Sequence, residues 1–198
     1  MVLSTYVSNY FRPLQVLLLI CMASLLIPAW AAEQPVDAAA VNAEPLTLTE
    51  YVGLLEDPER SLTITDVQKP EVAARFNTEQ PAGSALALGF THSAYWLRLT
   101  LRNSSDVALQ RMLVVENPLI SHVQAQLPNT QGGFQAINTG GDAPFATRVY
   151  PNRNFVFPLT LPAHAEQVVY LRMESSIGLL IPLQLWSPQA FHAFEPGR

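Results

Sequence analysis

The sequence predicts an all-β fold, a jelly-roll β-sandwich in which two sheets pack face to face. Two observations lead to this prediction: many short segments alternate apolar with polar residues, and turn residues separate these segments at short intervals. After Gln80, no long segment with helical periodicity interrupts the succession. Short strands at this spacing are typical of two-sheet sandwiches and jelly rolls.

Residues 1–31 have the features of a secretory signal peptide. Arg12 precedes an apolar run over residues 14–27, and small residues end the segment. Because the run is shorter than the ~20 residues that a membrane-spanning helix needs, we expect cleavage rather than an uncleaved anchor. Cleavage would remove Cys21, the single cysteine, and an exported domain without disulfides has to be stabilised by its core.

The rest of the chain fits one domain of ordinary size. Residues 32–45 are polar and alanine-rich without periodicity, which predicts a flexible leader, and the strand pattern occupies residues 46–190. The net charge of −5 leaves no basic surplus to neutralise phosphates. Nucleic acid is therefore not an expected partner.

The segment that opens the domain leaves two interpretations open. Residues 46–60 fit either a short strand or a helical turn that Asp57-Pro58 would end. Downstream, Thr63 or Thr65 is placed to cap a short helical turn, and Pro70 is expected to end it.

Eight segments after Gln80 have strand character: 84–90, 94–102, 111–117, 121–127, 134–138, 154–161, 166–174 and 181–186. Segment 111–117 is apolar on both faces, which predicts a central strand. Segment 154–161 directs Phe155 and Phe157 toward the core, and its Pro158 predicts an edge strand or a bulge.

Catalytic motifs are missing from the sequence, so we expect that the chain is not an enzyme. It contains no G-x-S-x-G, no H-E-x-x-H and no phosphate-binding glycine loop. None of the histidines has a second histidine or a cysteine three or four residues away, which argues against zinc; they are His92, His122, His164 and His192. Glu56, Asp57 and Glu59 cluster, but without a regular calcium loop a calcium site would have to be assembled from distant segments.

Two strands carry the same pairing of an aromatic residue with an arginine. Trp96 and Arg98 share one face of segment 94–102, and Tyr170 and Arg172 share one face of segment 166–174. Such a pair suits planar polar ligands, since the ring stacks on a sugar while the guanidinium binds carboxylate or hydroxyl oxygens. The alternative is that arginine stems only cover aromatic rings on a solvated sheet face.

The motifs GFTHSAYWLRL, NPL and TGGDAPF occur in this order along the chain. Together with FVFPLTLPA and VYLRMESS they resemble the type 2 extracellular sensor domain of bacterial seven-transmembrane receptors with diverse intracellular signalling modules. The resemblance runs from about residue 46 to residue 186. In that family the domain is a jelly roll resembling carbohydrate-binding modules.

The resemblance implies a periplasmic ligand-sensing domain of an inner-membrane receptor. Its expected partners are transmembrane helices and a cytoplasmic histidine kinase or diguanylate cyclase of the same longer chain, with residues 191–198 as a truncated junction to the membrane region. The positions carried over by motif are Tyr95, Trp96, Arg98, Asn117, Asp142, Arg148, Arg172 and Trp186. We assign Tyr95 and Trp186 to the core.

Three hypotheses follow for what the domain binds. In the first, a small molecule such as a carbohydrate or a carboxylate binds at Trp96, Arg98, Asn117, Asp142, Arg148, Tyr170 and Arg172. In the second, the domain responds to calcium through carboxylates such as Glu56, Asp57, Glu116 or Asp142. In the third, it forms a homodimer or docks a partner protein through a long, largely apolar strand such as 111–117 at a sheet edge.

Overall fold

A computed structural model describes residues 34–194 of the chain. Its strands are β1 Val36–Asp37, β2 Leu46–Thr47, β3 Val52–Asp57, β4 Leu86–Gly89, β5 Ala94–Arg102, β6 Leu109–Val115, β7 His122–Pro128, β8 Phe134–Thr139, β9 Phe155–Leu161, β10 Glu166–Glu174, β11 Leu179–Ile181 and β12 Leu183–Trp186. Its α-helices are short: α1 Ile64–Val67, α2 Pro70–Ala73 and α3 Pro188–Phe194. The predicted signal peptide lies outside the described residues.

Two main sheets form the sandwich. The large sheet has the order β1-β5-β10-β7-β8, and β3 pairs with the same edge of β5 as β1. The small sheet has the order β2-β12-β6-β9, and β4 pairs with β11 separately. The all-β class predicted from the alternation is confirmed.

The main core fills the space between the two sheets. In β5, the residues predicted for one face, Leu97, Leu99 and Leu101 among them, are buried there. Phe155 and Phe157 of β9 meet them from the small sheet and are 1% exposed. Burial of this apolar surface is the main stabilising contribution to the fold.

Strand β6 lies between β12 and β9, as its two apolar faces predict. Both of its edges are therefore hydrogen-bonded, so the hypothesis that this strand docks a partner at a free sheet edge is wrong. Pro158 faces Met112 in the edge strand β9, where its missing N–H costs no ladder hydrogen bond.

The predicted flexible leader differs from the structure. Val36 and Asp37 pair in parallel with the end of β5, and Val36, Ala38 and Val41 are almost completely buried. Small apolar residues spaced in this way fit against the sandwich without showing a regular period. The C-terminal boundary of the domain also differs from the prediction. Phe191, which was expected to begin the junction to the membrane region, is buried in a cluster with Trp186.

The segment between β3 and β4 covers part of the large sheet, and residues 58–80 are called the strap below. Helix α1 begins in the strap with a capping box, in which Thr63 Oγ1 accepts a hydrogen bond from the Asp66 N–H and the Asp66 carboxylate accepts one from the Thr63 N–H. A hydrogen bond from Lys69 holds the pKa of Asp66 well below its usual range. Pro70 does not end this helix but begins α2, where its missing N–H is tolerated.

Thr63→Ala is expected to lower the free energy of unfolding by about 1 kcal/mol, because it leaves the Asp66 N–H without its cap. Thr65→Ala is the matched control: Thr65 lies inside α1 and makes no cap, so its replacement should change stability by less than about 0.5 kcal/mol. Urea unfolding of both variants measures the difference. Equal losses would contradict the assignment of Thr63 as the cap.

Candidate functional site

The outer face of the large sheet, where Trp96 lies, is covered by the strap. Trp96 is 0% exposed and packs in a cluster with Leu55, Val67, Phe76 and Tyr170. A ligand has no access to this indole in the structure. The prediction that Trp96 contacts a ligand is therefore not supported, because strap residues occupy the surface that a ligand would use.

Arg98 fastens the strap to the sheet. Its Nη1 donates a hydrogen bond to the Ala73 carbonyl at 3.3 Å, and its guanidinium lies 4.5 Å from the centre of the Phe76 ring. Tyr170 is 6% exposed, with its ring 6.3 Å from Phe76 and 5.5 Å from Phe134. Both predicted ligand residues thus serve a second apolar core on this face.

Arg172 lies at the margin of the strap. Its guanidinium forms an ion pair with Glu174 and donates a hydrogen bond to the Arg60 carbonyl at 3.2 Å. Arg60 approaches the same carboxylate, with Nη1 3.7 Å from Glu174 Oε2. The side chains of Arg172 and Glu174 are 18% and 19% exposed, so a ligand can reach this charged group.

Two residues with side-chain amides lie next to Arg172 on the neighbouring strands of the large sheet. Arg172 pairs in register with Gln124 of β7, and Gln124 pairs with Asn138 of β8. Gln124 Nε2 donates to Asn138 Oδ1 at 2.7 Å. Arg172, Gln124 and Asn138 together are called the amide row below. Their side-chain donors and acceptors are of the kind that hydroxyl groups bind.

Sequence reasoning missed Gln124 and Asn138. The signal was present in part, since His122, Gln124 and Gln126 alternate with buried residues along β7 and so mark one polar face. That β8 adds Asn138 to the same row depends on register, which the sequence of a single strand does not show.

The other predicted ligand residues lie on loops, and the side chains of two of them, Asn117 and Arg148, hydrogen-bond to backbone carbonyls of the fold. Asn117 Nδ2 donates to the Leu180 carbonyl at 2.8 Å, and its Oδ1 accepts from the Leu119 N–H at 3.1 Å. Asp142 follows a glycine turn, and its N–H donates to the Ser121 carbonyl at 3.2 Å. Its exposed carboxylate makes no hydrogen bond that the structure describes.

Arg148 is used by the loop that precedes β9. Its Nη1 donates to the carbonyls of Asn152, Arg153 and Asn154, and its guanidinium lies 4.6 Å from the centre of the Phe155 ring. Burial lowers the pKa of Arg148. The guanidinium therefore acts as an internal clamp for these carbonyls, and the structure does not bring it near the amide row.

Two of the carboxylates named for calcium, Glu56 and Asp57, have local partners. Glu56 Oε1 accepts from Ser93 Oγ at 2.6 Å, and Asp57 accepts from the N–H groups of Ser61 and Leu62 at 3.2 and 3.0 Å. Within residues 34–194, no three His, Cys, Asp or Glu side chains are grouped so that they could hold a metal ion. The calcium hypothesis stays a prediction.

Comparison with known proteins gives a family match. The sequence matches the family described as 7TMR-DISM extracellular 2 over residues 49–187. No curated protein matches the sequence. None of the helices in the described range has the length and apolar character that a membrane crossing requires.

Two solved structures show limited similarity. The enzymatically active domain of tailspike protein 4 from bacteriophage CBA120 has 11% sequence identity and a TM-score of 0.29, with 52% of this chain and 15% of that chain covered. A family GH115 4-O-methyl-α-glucuronidase with specificity for decorated arabinogalactans has 11% identity and a TM-score of 0.31, with 74% of this chain and 18% of that chain covered. The chain spans less than a fifth of either protein, and TM-scores this low carry no argument.

Proposed function

Because the chain belongs to the 7TMR-DISM extracellular 2 family, which implies a periplasmic sensor of a signalling receptor, we propose that it binds a carbohydrate or a sugar acid at the amide row. The observation that carries the proposal is the register of Arg172, Gln124 and Asn138 on three neighbouring strands. The domain would act without catalysis, and its partners would be transmembrane and cytoplasmic signalling modules of the same longer chain.

The chemistry of the amide row supports this ligand class. A guanidinium and two side-chain amides supply several donors and acceptors in a line, and sugar hydroxyls are both donors and acceptors. Glu174 keeps Arg172 in place, so the row is pre-organised and loses little side-chain entropy on binding.

Binding would signal through a shift in population. A ligand that binds one arrangement of the domain better than another favours that arrangement by the difference in affinity. The strap is placed to take part, because Arg172 belongs to the amide row and also donates a hydrogen bond to the Arg60 carbonyl of the strap. Ligand contacts to Arg172 would therefore alter how firmly the strap is held.

Gln124→Ala is expected to weaken carbohydrate binding about two- to tenfold, the loss that follows from removing one hydrogen-bonding side chain. The measurement is isothermal titration of the purified chain with neutral monosaccharides and with their uronic acids. Gln131→Ala, in the exposed turn between β7 and β8, is the matched control and should bind like the parent chain.

Two results would count against the proposal. If no saccharide binds, the amide row is not a carbohydrate site. If binding survives Gln124→Ala unchanged, the ligand lies elsewhere. A rise in melting temperature with calcium that EDTA reverses would favour the calcium-responsive alternative, and a concentration-dependent mass without any ligand effect would favour the homodimer.

A further inference from the structure

A cavity of about 780 Å³ lies between the beginning of α3, the beginning of β6 and the N-terminal segment. Its wall is formed by residues 42–43 of the N-terminal segment, by the beginning of β6 and by α3. The volume falls within the range of small-molecule sites, about 300–1,000 Å³. None of the residues of the amide row contributes to it.

Arg111 of β6 is the charged group of this cavity. It is 6% exposed, and its guanidinium donates to the Ala38 carbonyl at 2.9 Å and to the Gln110 carbonyl at 2.7 Å. Burial alone lowers the pKa of Arg111, and among residues 34–194 no carboxylate lies close enough to offset its charge. A desolvated cation with only carbonyl partners is costly, and an anion would relieve that cost.

The rest of the wall favours an anion with an apolar body. Among residues 34–194, no acidic residue lines the cavity. Apolar surface comes from Ala43, Leu109, Pro188, Ala190 and Ala193, and uncharged polar groups come from Asn42, Gln110, Ser187 and Gln189. One buried positive charge beside such a surface matches a single carboxylate on a small hydrocarbon or aromatic body.

We infer that the cavity beside α3 is a binding site for a small organic monocarboxylate, with Arg111 as the residue that receives the carboxylate. The site is separate from the amide row, and the inference stands whether or not a carbohydrate binds there. A guanidinium pairs with a carboxylate through two parallel hydrogen bonds, and its Nη2 makes no hydrogen bond that the structure describes.

A ligand in this cavity would contact α3 and the sandwich at the same time. Helix α3 packs on the sheet through Phe191, whose ring lies 6.0 Å from Trp186 and 5.7 Å from Tyr150. Pro188 and Ala193 of the same helix line the cavity, while Arg111 belongs to the sheet. The bound carboxylate would therefore stabilise the docked position of α3.

Benzoate and hexanoate serve as probes, with benzamide as the neutral analogue of benzoate. The purified chain is expected to bind both acids saturably in isothermal titration and to bind benzamide at least about tenfold more weakly, because the amide lacks the charge that pairs with Arg111. Arg111→Met keeps an unbranched stem but removes the guanidinium and its charge, and it should weaken benzoate binding at least about tenfold. Arg75→Met, at an exposed position in the strap, is the matched control.

A second variant keeps the test decisive if Arg111→Met fails to fold. Ala193 is exposed on α3, so Ala193→Phe should leave the fold intact while it fills part of the cavity and abolishes benzoate binding. The inference is overturned if neither acid binds saturably. It is equally overturned if benzoate binds and neither Arg111→Met nor Ala193→Phe weakens that binding.

Discussion

Trp96→Ala is expected to destabilise the domain by about 3–5 kcal/mol, the usual cost of truncating a fully buried tryptophan. The indole is 0% exposed, and its removal leaves a cavity between the strap and the large sheet, among Leu55, Val67 and Phe76. Urea unfolding followed by circular dichroism measures the loss. An exposed ligand platform at this position would predict little change.

Two further variants test whether the loss of stability in Trp96→Ala comes from the burial of the ring, rather than from a hydrogen bond of the indole or from removal of an aromatic ring as such. Trp96→Phe should cost less than Trp96→Ala, because the Trp96 Nε1 has no hydrogen-bond partner among the described residues and an aromatic ring still fills much of the space. Phe90→Ala removes a ring that is 89% exposed, and it should change stability by no more than about 0.5 kcal/mol. A loss below about 1 kcal/mol for Trp96→Ala would mean that the strap does not pack on Trp96 in solution.

Gly140→Ala is expected to have the second-largest effect, a loss of about 3 kcal/mol or more. Gly140 has a φ of 153°, which side chains rarely adopt, and an added Cβ would overlap the carbonyl oxygen of Ser121 and lie 2.8 Å from its carbonyl carbon. Because both atoms belong to the backbone, the clash cannot be relieved by a side-chain rotation. The TGGD turn would have to move off the loop before β7.

Gly132→Ala is the control that isolates the effect of the close contact between residue 140 and the Ser121 backbone. Gly132 also has a positive φ, at 80°, but nothing lies within 4 Å of an added Cβ. The free energy of unfolding of Gly132→Ala should therefore fall by only about 1–2 kcal/mol, the cost of a residue with a side chain in the left-handed conformation. Thermal unfolding of both variants gives the comparison, and equal losses would show that the contact between Gly140 and Ser121 is not formed.

The strands of the sandwich could be predicted because alternation is a local property. Both β5 and β10 have the predicted bounds, and the inner faces predicted for them are buried in the main core. Alternation also placed Trp96 and Arg98 together on the outer face. It could not show that the strap covers this face, because periodicity gives the direction of a side chain and not what packs over it.

The site depends on relations that one sequence does not contain. The amide row exists because β7 and β8 pair in one particular register, which brings Gln124 and Asn138 together. Arg111 follows Gln110 in a strand whose remaining residues are apolar, and the position of α3 makes it the charged part of a cavity wall. The ordered N-terminal segment was missed since its buried residues are mostly small alanines and valines without a regular period.

The side-chain amide resonances of Gln124 and Asn138 offer the most direct test of the account's central claim, that the domain senses a carbohydrate or sugar acid at the amide row. They would be followed by two-dimensional NMR of the purified chain during titration with the saccharide panel. The account predicts saturable shifts of both resonances with at least one sugar, while the Gln131 side-chain amide stays in place. Saturable binding that leaves Gln124 and Asn138 unshifted, or no binding by any sugar, would contradict it.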